Sequence, residues 1–237
     1  PTAPLSSSGT LLHIKGTDAS IIDKSQGNNL KLVGTAAAVT NATNNSNISS
    51  ANAMSFDGDS DYVQLPVGSL YLGSSDFTIE AWIYQDTNAG SGSNSQTIYS
   101  DWLNANNDKS CLFRITDSTG QKAQFLYSTD GSANNIYTST TTISNSTWTH
   151  VAICKDSISL RVYIDGIREV WVNSPSFTLN LNDGTVGPLI GGNYDAASTS
   201  YAQFFDGYIQ DFRVTKGLAR YTAADETSNI PSAPLEG

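Results

Sequence analysis

A tryptophan in a polar stretch is the residue of this sequence best suited to stack on a ligand. The stretch is SDWLNANND (100–108), and its candidate ligand-binding residues are Asp101, Trp102, Asn104 and Asn106. Pyranose rings stack on aromatic faces, while carboxylates and amides hydrogen-bond sugar hydroxyls. We therefore predict an exposed loop that binds carbohydrate. The alternative is that Trp102 folds over a sheet edge and the asparagines form turns.

A second polar stretch carries two tyrosines. In GGNYDAASTSY (191–201) the candidates are Tyr194, Asp195 and Tyr201. The same chemistry applies here, because ring faces and a carboxylate lie close together in the chain. We predict that this stretch contributes to the same type of site.

Three aspartates recur at a spacing of two in FDGDSDY: Asp57, Asp59 and Asp61. Carboxylate oxygens at that spacing in a loop can converge on Ca²⁺. An EF-hand is excluded, because Tyr62 stands where that loop requires glycine. The alternative is that Asp57 and Gly58 form a turn and Asp61 caps the next strand.

Catalytic chemistry is not expected from this sequence. Glycoside hydrolysis requires two carboxylates roughly 5–10 Å apart, and Glu80, in TIEAW, has no acidic partner two or three residues on. His13 and His150 lie within strand-like segments, where a structural histidine is the better interpretation. We predict that the protein is not an enzyme.

In the segments that position these residues, apolar side chains alternate with polar and aromatic ones with a period of two. In FTIEAWIY, Ile79, Ala81 and Ile83 alternate with polar and aromatic residues, and KSCLFRIT places Cys111 and Phe113 on one face. Such alternation predicts strands with one buried face. The chain therefore predicts an all-β sandwich of two antiparallel sheets.

Several segments carry a family resemblance: FDGDSDYVQL (56–65), DFTIEAWIY (76–84), WTHVAICK (148–155), SLRVYIDG (159–166) and FFDGYIQDFRVTKGLARYT (204–222). In this order they resemble the laminin-G-like, concanavalin A-like lectin/glucanase jelly-roll domains of bacterial adhesins and marine phage tail proteins. The resemblance implies a jelly roll. It also implies that Asp23 and Asp211 match family aspartates, so we add both to Asp57, Asp59 and Asp61 as ligands of a structural Ca²⁺.

The two cysteines leave two alternatives open. Cys111 and Cys154 both lie in strand-like segments. Free cysteine often behaves as a small buried apolar residue, whereas a disulfide would require the two Cα atoms within about 7 Å. Buried free thiols are the favoured interpretation.

The net charge and the lack of a long apolar run limit the partners that the protein can bind. The formal net charge of −10 argues against nucleic acid and against anionic membranes, and no apolar run is long enough to insert into a bilayer. We expect an N-terminal linker at 1–9, one domain at 10–222 and a C-terminal linker or tag at 223–237.

The function predicted from these features is a non-catalytic, lectin-like recognition module of a larger surface or viral attachment protein. Its expected partners are a cell-surface glycan or polysaccharide and neighbouring modules, and its expected location is extracellular or on a virion. The alternative is a structural or assembly domain of a phage tail or adhesin. A glycoside hydrolase ranks third.

Overall fold

A computed structural model describes residues 9–16, 21–25, 28–40, 45–47, 52–90, 94–103, 108–117, 120–173, 181, 186–194 and 200–233. The strands among them are β1 (Thr10–Gly16), β2 (Ile21–Asp23), β3 (Lys31–Val33), β4 (Ala37–Thr40), β5 (Asn52–Asp57), β6 (Tyr62–Gln64), β7 (Phe77–Gln85), β8 (Gln96–Leu103), β9 (Asp108–Thr116), β10 (Lys122–Tyr127), β11 (Asn135–Thr142), β12 (Thr149–Asp156), β13 (Ser159–Ile164), β14 (Ile167–Asn173), β15 (Leu189–Ile190), β16 (Asn193–Tyr194), β17 (Tyr201–Ala202) and β18 (Asp206–Lys216). Within these ranges no helix is long and apolar enough to cross a bilayer.

The strands pair into two large antiparallel sheets. The first sheet has the order β14-β13-β12-β7-β18-β1-β2, with β5 on the first half of β18 and β4 beside β5. The second sheet has the order β11-β10-β9-β8-β15-β6-β3, and β16 and β17 form a small ribbon. The predicted all-β, two-sheet antiparallel sandwich is confirmed.

The two sheets enclose one main core, and the period-two pattern selects its members. Ile79 and Ile83 of β7 point into this core from the first sheet, and Phe113 and Ile115 of β9 point into it from the second. Burying side chains of this size contributes about 1.5–3 kcal/mol each. The alternation in the sequence therefore predicted the core-facing side of these strands.

The outer face of the first sheet is covered as well. Trp82 lies between core-facing residues of β7 and so points outward, where it forms a buried cluster with Trp148 and Ala53. Ile230, from the end of the chain, packs against this cluster. Both tryptophans are thus buried, but outside the main core.

The segment that provides this cover is residues 217–233. The Tyr163 hydroxyl donates to the Ala223 carbonyl at 2.8 Å, and the Arg168 amide donates to the Ala224 carbonyl at 3.0 Å. Residues 223–233 therefore belong to the folded structure, contrary to the expectation of a linker from residue 223 onward. Residues 1–8 and 234–237 lie outside the described part of the chain.

Both cysteines are buried and unbonded. Cys111 contributes to the main core, whereas Cys154 packs with Tyr163 and Tyr221 on the outer face of the first sheet. Burial raises the pKa of Cys154 to about 12. The interpretation as buried free thiols is confirmed.

We expect the covering segment to stabilise the domain. A chain ending at Thr222 would lose the hydrogen bonds of residues 223–233 and the contact of Ile230 with the tryptophans. The free energy of unfolding should fall by at least about 2 kcal/mol, measured by urea denaturation. A chain ending at residue 233 is the matched control and should unfold like the full chain. Equal stability of all three chains would show that the segment is dispensable.

Candidate functional site

A cleft of about 590 Å³ lies where three segments from both sheets meet. They are the turn after β5, the connection from β7 to β8, and the connection from β17 to β18. The residues of the lining that bear on ligand binding are Asp59, Thr87, Ser95, Gln96, Tyr201 and Asp206.

The turn after β5 is fixed by one carboxylate. Asp57 Oδ1 accepts hydrogen bonds from the backbone N–H groups of Asp59, Ser60 and Asp61 at 3.0, 2.9 and 3.0 Å. Burial alone would raise the pKa of Asp57, but the hydrogen bonds from Ser60 and Asp59 hold it below its ordinary value. This wall of the cleft therefore has its shape before any ligand arrives.

A close approach of two loops places a second carboxylate in the wall. Gly58 has a φ of +75°, and a Cβ there would lie 2.8 Å from the Cβ of Asp206. Only glycine fits such a position without strain. Asp206 accepts a hydrogen bond from the Thr87 hydroxyl, and its charge adds to the effect of burial in raising the pKa of Asp86.

Amide and hydroxyl groups lie beside these carboxylates. Gln96 Nε2 donates to the Thr87 carbonyl at 3.1 Å, and Gln85 Nε2 donates to Gln96 Oε1 at 3.0 Å. The hydroxyl of Ser95 has no hydrogen-bond partner in the described structure, although the residue is only 1% exposed. Burying a hydroxyl without a hydrogen-bond partner costs free energy, so this hydroxyl is suited to form a hydrogen bond with a ligand.

The aromatic wall of the cleft is formed by Tyr201 and Phe204, both partly exposed. The Tyr201 ring stacks on Tyr62 with centroids 4.3 Å apart and planes 27° apart, and the Tyr194 ring lies 5.1 Å away. Burial, followed by the neighbouring Tyr201, raises the pKa of Tyr194 to about 12. Tyr201 is thus a supported ring at the edge of a polar cleft.

Trp102 lies elsewhere, and the expectation that it occupies an exposed loop is wrong. It is 2% exposed and packs against Leu112 and Leu126. The reason is that β8 and β9 stay paired as far as Leu103 and Asp108, so the tryptophan is inside the ladder. Sugar stacking on Trp102 stays a prediction, and its burial does not favour it.

The other predicted ligand-binding residues divide into three groups. Asp101 is buried in β8, and Tyr194 is buried in β16. Tyr201 lines the cleft. Asn104, Asn106 and Asp195 lie outside the described residues.

The five predicted calcium ligands do not converge. Asp23 accepts hydrogen bonds from Ser25 and Asn28, and Asp211 lies 3.5 Å from the Lys15 ammonium. Asp61 accepts from Thr35; Asp57 shapes its own turn, and Asp59 lines the cleft. The described residues contain no group of three or more His, Cys, Asp or Glu side chains that could hold a metal ion. The arrangement does not fit one shared Ca²⁺, and calcium binding stays a prediction that melting with calcium against chelator would test.

Sequence reasoning missed several residues of the cleft: Thr87, Ser95, Gln96 and Asp206. Thr87, Ser95 and Gln96 are neutral polar residues in loops and at strand ends, and such residues form no distinctive sequence pattern. Asp206 had a signal, because it forms an Asp-Gly pair with Gly207 at the start of the longest strand, but that pair indicated only the fold.

Glu80 has partners that exclude a catalytic role in a cleft. It is 1% exposed and takes two hydrogen bonds from the Arg213 guanidinium at 2.9 and 2.6 Å, and the Tyr221 hydroxyl donates to it at 2.5 Å. His150 Nε2 lies 3.4 Å from it. Burial alone would raise the pKa of Glu80, but the Arg213 charge, with His150 and Tyr221, lowers it below its ordinary value. Glu80 is therefore a buried structural carboxylate.

One family comparison covers most of the chain. A model of the concanavalin A-like lectin/glucanase superfamily matches residues 57–219. No curated protein sequence shows a significant match. All the residues that line the cleft, from Asp57 to Asp206, fall within this match.

Solved structures with the same fold include one domain solved with a sugar and two binding domains of toxins. Domain 4 of AbnA, a GH43 extracellular arabinanase from Geobacillus stearothermophilus solved with arabinotriose, superposes with a TM-score of 0.60 at 17% identity over 89% of this chain and 93% of that one. The binding domain of Paraclostridial Mosquitocidal Protein 1 gives 0.65 at 13% identity over 93% and 50%. The receptor-binding domain of botulinum neurotoxin D gives 0.61 at 15% identity over 94% and 52%. The chain spans about half the length of these two toxin domains.

The burial of Trp102 predicts a large stability effect. Trp102→Ala should lower the free energy of unfolding by about 3–5 kcal/mol, as for other buried aromatic truncations. Differential scanning calorimetry should show a clear fall in Tm. A nearly unchanged Tm would contradict the packing described above and return Trp102 to the candidates for ligand stacking.

The buried ion pair between Glu80 and Arg213 predicts that the free energy of unfolding depends on pH. The folded-state pKa lies below the ordinary value of 4.5, so the contribution of Glu80 is present above about pH 4.5 and is lost as pH falls below it. Glu80→Gln leaves Arg213 buried without its counter-charge and should cost about 3–5 kcal/mol at neutral pH. Urea denaturation at several pH values should show a flatter acid limb for this variant.

The matched control for this experiment is Glu169→Gln. Glu169 is partly exposed and accepts hydrogen bonds from Thr140 and Thr141. Water can replace part of these bonds, so the replacement of Glu169 should cost clearly less than that of Glu80. If both variants lost the same free energy of unfolding, the burial of the ion pair between Glu80 and Arg213 would make no special contribution to stability.

Proposed function

We propose that this chain, which belongs to the concanavalin A-like lectin/glucanase superfamily, is a non-catalytic carbohydrate-binding module. Its ligand would occupy the cleft between the turn after β5, the β7–β8 connection and the β17–β18 connection.

The observation that carries this proposal is the supported ring of Tyr201 beside carboxylates and amides. A sugar offers an apolar ring face and many hydroxyl groups, and a site for it needs both an aromatic surface and placed polar groups. The cleft supplies the first with Tyr201 and Phe204, and the second with Asp59, Gln96 and Asp206. Because Tyr62 supports Tyr201 from behind, little side-chain order has to be gained on binding.

The named structural neighbours accord with a binding role. One was solved with arabinotriose, and two are binding domains of toxins. At these identities the likeness concerns the fold, so the choice of ligand has to come from the side chains of this chain.

Absence of catalysis is part of the proposal. Glu80 is enclosed by Arg213 and Tyr221 and cannot reach a substrate. Asp57 has its carboxylate engaged by three backbone amides, which suits a structural role better than proton transfer. Release of reducing ends from a bound polysaccharide would overturn this part of the proposal.

We further propose an extracellular or virion-surface location, with a cell-surface glycan or polysaccharide as partner and neighbouring modules in a larger protein. The polar composition and the net charge of −10 suit a surface exposed to solvent. Binding of labelled protein to intact cells, with loss of binding after enzymatic deglycosylation, is the expected result. Unchanged binding after deglycosylation would indicate a protein partner instead.

The site itself is tested by Tyr201. A glycan array should first identify a binding glycan, and calorimetry should then measure its affinity. Tyr201→Ala should weaken binding by about 1–3 kcal/mol, as for a truncated anchor residue, whereas Tyr201→Phe keeps the ring and should bind almost normally.

The control for a general effect of losing a tyrosine is Tyr71→Ala. Tyr71 is 39% exposed and does not line the cleft, so affinity should not change. Equal affinity of Tyr201→Ala and the parent would move the site away from the cleft. Absence of binding to every glycan of the array would overturn the carbohydrate function.

A further inference from the structure

The cleft has carboxylates without counter-charges. Asp57, Asp59 and Asp206 line it, and Asp86 lies close enough to Asp206 for the two charges to interact. No lysine, arginine or histidine is among the described lining residues. The ion pairs found between described residues use the carboxylates of other aspartates and of Glu80.

A second, independent feature lies in the wall of the same cleft. Ser95 lines the cleft and is 1% exposed, and its hydroxyl finds no partner among the described residues. Buried polar groups are normally hydrogen-bonded. The hydroxyl can accept a hydrogen bond from a donor group on a ligand.

We propose that the ligand of this cleft is a glycan with a protonated amino group, that is, a hexosamine unit without N-acetylation. This inference rests on the proposed carbohydrate binding and names the class of sugar. An ammonium group offers three donors and no acceptor, which suits a space where Asp59 and Asp206 have no counter-charge among the described lining residues. An acidic sugar would place a further negative charge beside Asp206 and Asp59.

The charge of the ligand decides between the sugar classes. An ammonium adds a direct Coulomb attraction to its hydrogen bond with a carboxylate. A neutral sugar would satisfy the carboxylates with hydroxyl donors only. The nearby Tyr201 ring adds a favourable face for a cation.

The three lining carboxylates have different roles. Asp57 is committed to its turn by three backbone amides. Asp59 is exposed, and Asp206 is partly exposed and accepts one hydrogen bond from Thr87. Asp59 and Asp206 are therefore the residues that receive the ammonium.

Two probes with the same backbone separate charge from shape: oligosaccharides of chitosan, which carry free amines, and their fully N-acetylated counterparts. Oligogalacturonate is the acidic comparison. Calorimetry at a pH near 6, where aspartates are ionised, should show the amino form binding at least about tenfold more tightly than the acetylated form, and high salt should reduce this preference. Oligogalacturonate should not bind.

The variants locate the effect. Asp59→Asn and Asp206→Asn each keep size and an acceptor oxygen and should each weaken binding of the amino form about tenfold. The matched control is Asp225→Asn. Asp225 lies in the segment 217–233, which covers the outer face of the first sheet. Its replacement therefore removes one charge away from the cleft and should leave affinity unchanged. Melting temperatures of the three variants should stay close to that of the parent.

Each contrary result has its own meaning. Equal or tighter binding of the acetylated or acidic form overturns the charge inference and leaves carbohydrate binding intact. Tighter binding of the amino form with no effect of Asp59→Asn and Asp206→Asn beyond that of Asp225→Asn overturns the assignment to this cleft. Failure of both chitosan probes, with another array glycan bound, overturns the inference alone; failure of every glycan overturns the proposed function with it.

Discussion

The fold depends on the close packing of β18 against β7. β18 pairs with β7 on both sides of a register shift between Gln210 and Arg213, while its other side is shared between β5 and β1. Gly207 makes the approach feasible, because its φ is +131° and a Cβ there would lie 2.1 Å from the Tyr84 carbonyl oxygen. The same approach puts Asp206, one residue earlier, into the cleft. A backbone requirement of the sheet thus places a polar group of the candidate site.

The ion pair between Glu80 and Arg213 also constrains how β7 and β18 align. Glu80 and Arg213 are direct cross-strand partners of β7 and β18, and Tyr221 ties the covering segment to the same carboxylate. A buried ion pair gains little net stability over apolar residues, but leaving either partner alone is strongly unfavourable. The pair therefore disfavours strand registers that would separate its members. It also explains why the Glu80 carboxylate is unavailable for chemistry.

Sequence patterns predicted the sheets better than they predicted the site. Alternation indicates which face of a strand is buried, so it predicts the buried positions of Ile79 and Phe113. Trp102 was misplaced because the polar residues around it also suit strand ends, and local composition cannot show how far β8 and β9 pair. The cleft joins residues near positions 58, 95 and 204, and only the topology brings them together. Tyr201 and Asp59 were selected separately, one for stacking and one for calcium.

The charge of the whole molecule and the charge of the cleft act over different distances. A net charge of −10 attracts cations to the molecule as a whole, but at physiological salt the Debye length is about 8 Å. Only carboxylates within that distance discriminate between bound ligands. The turn held by Asp57 and the contact made at Gly58 fix where Asp59 and Asp206 stand relative to Tyr201. Under the proposed function, ligand specificity comes from the loops that line the cleft, while the overall charge influences the rate at which cations arrive.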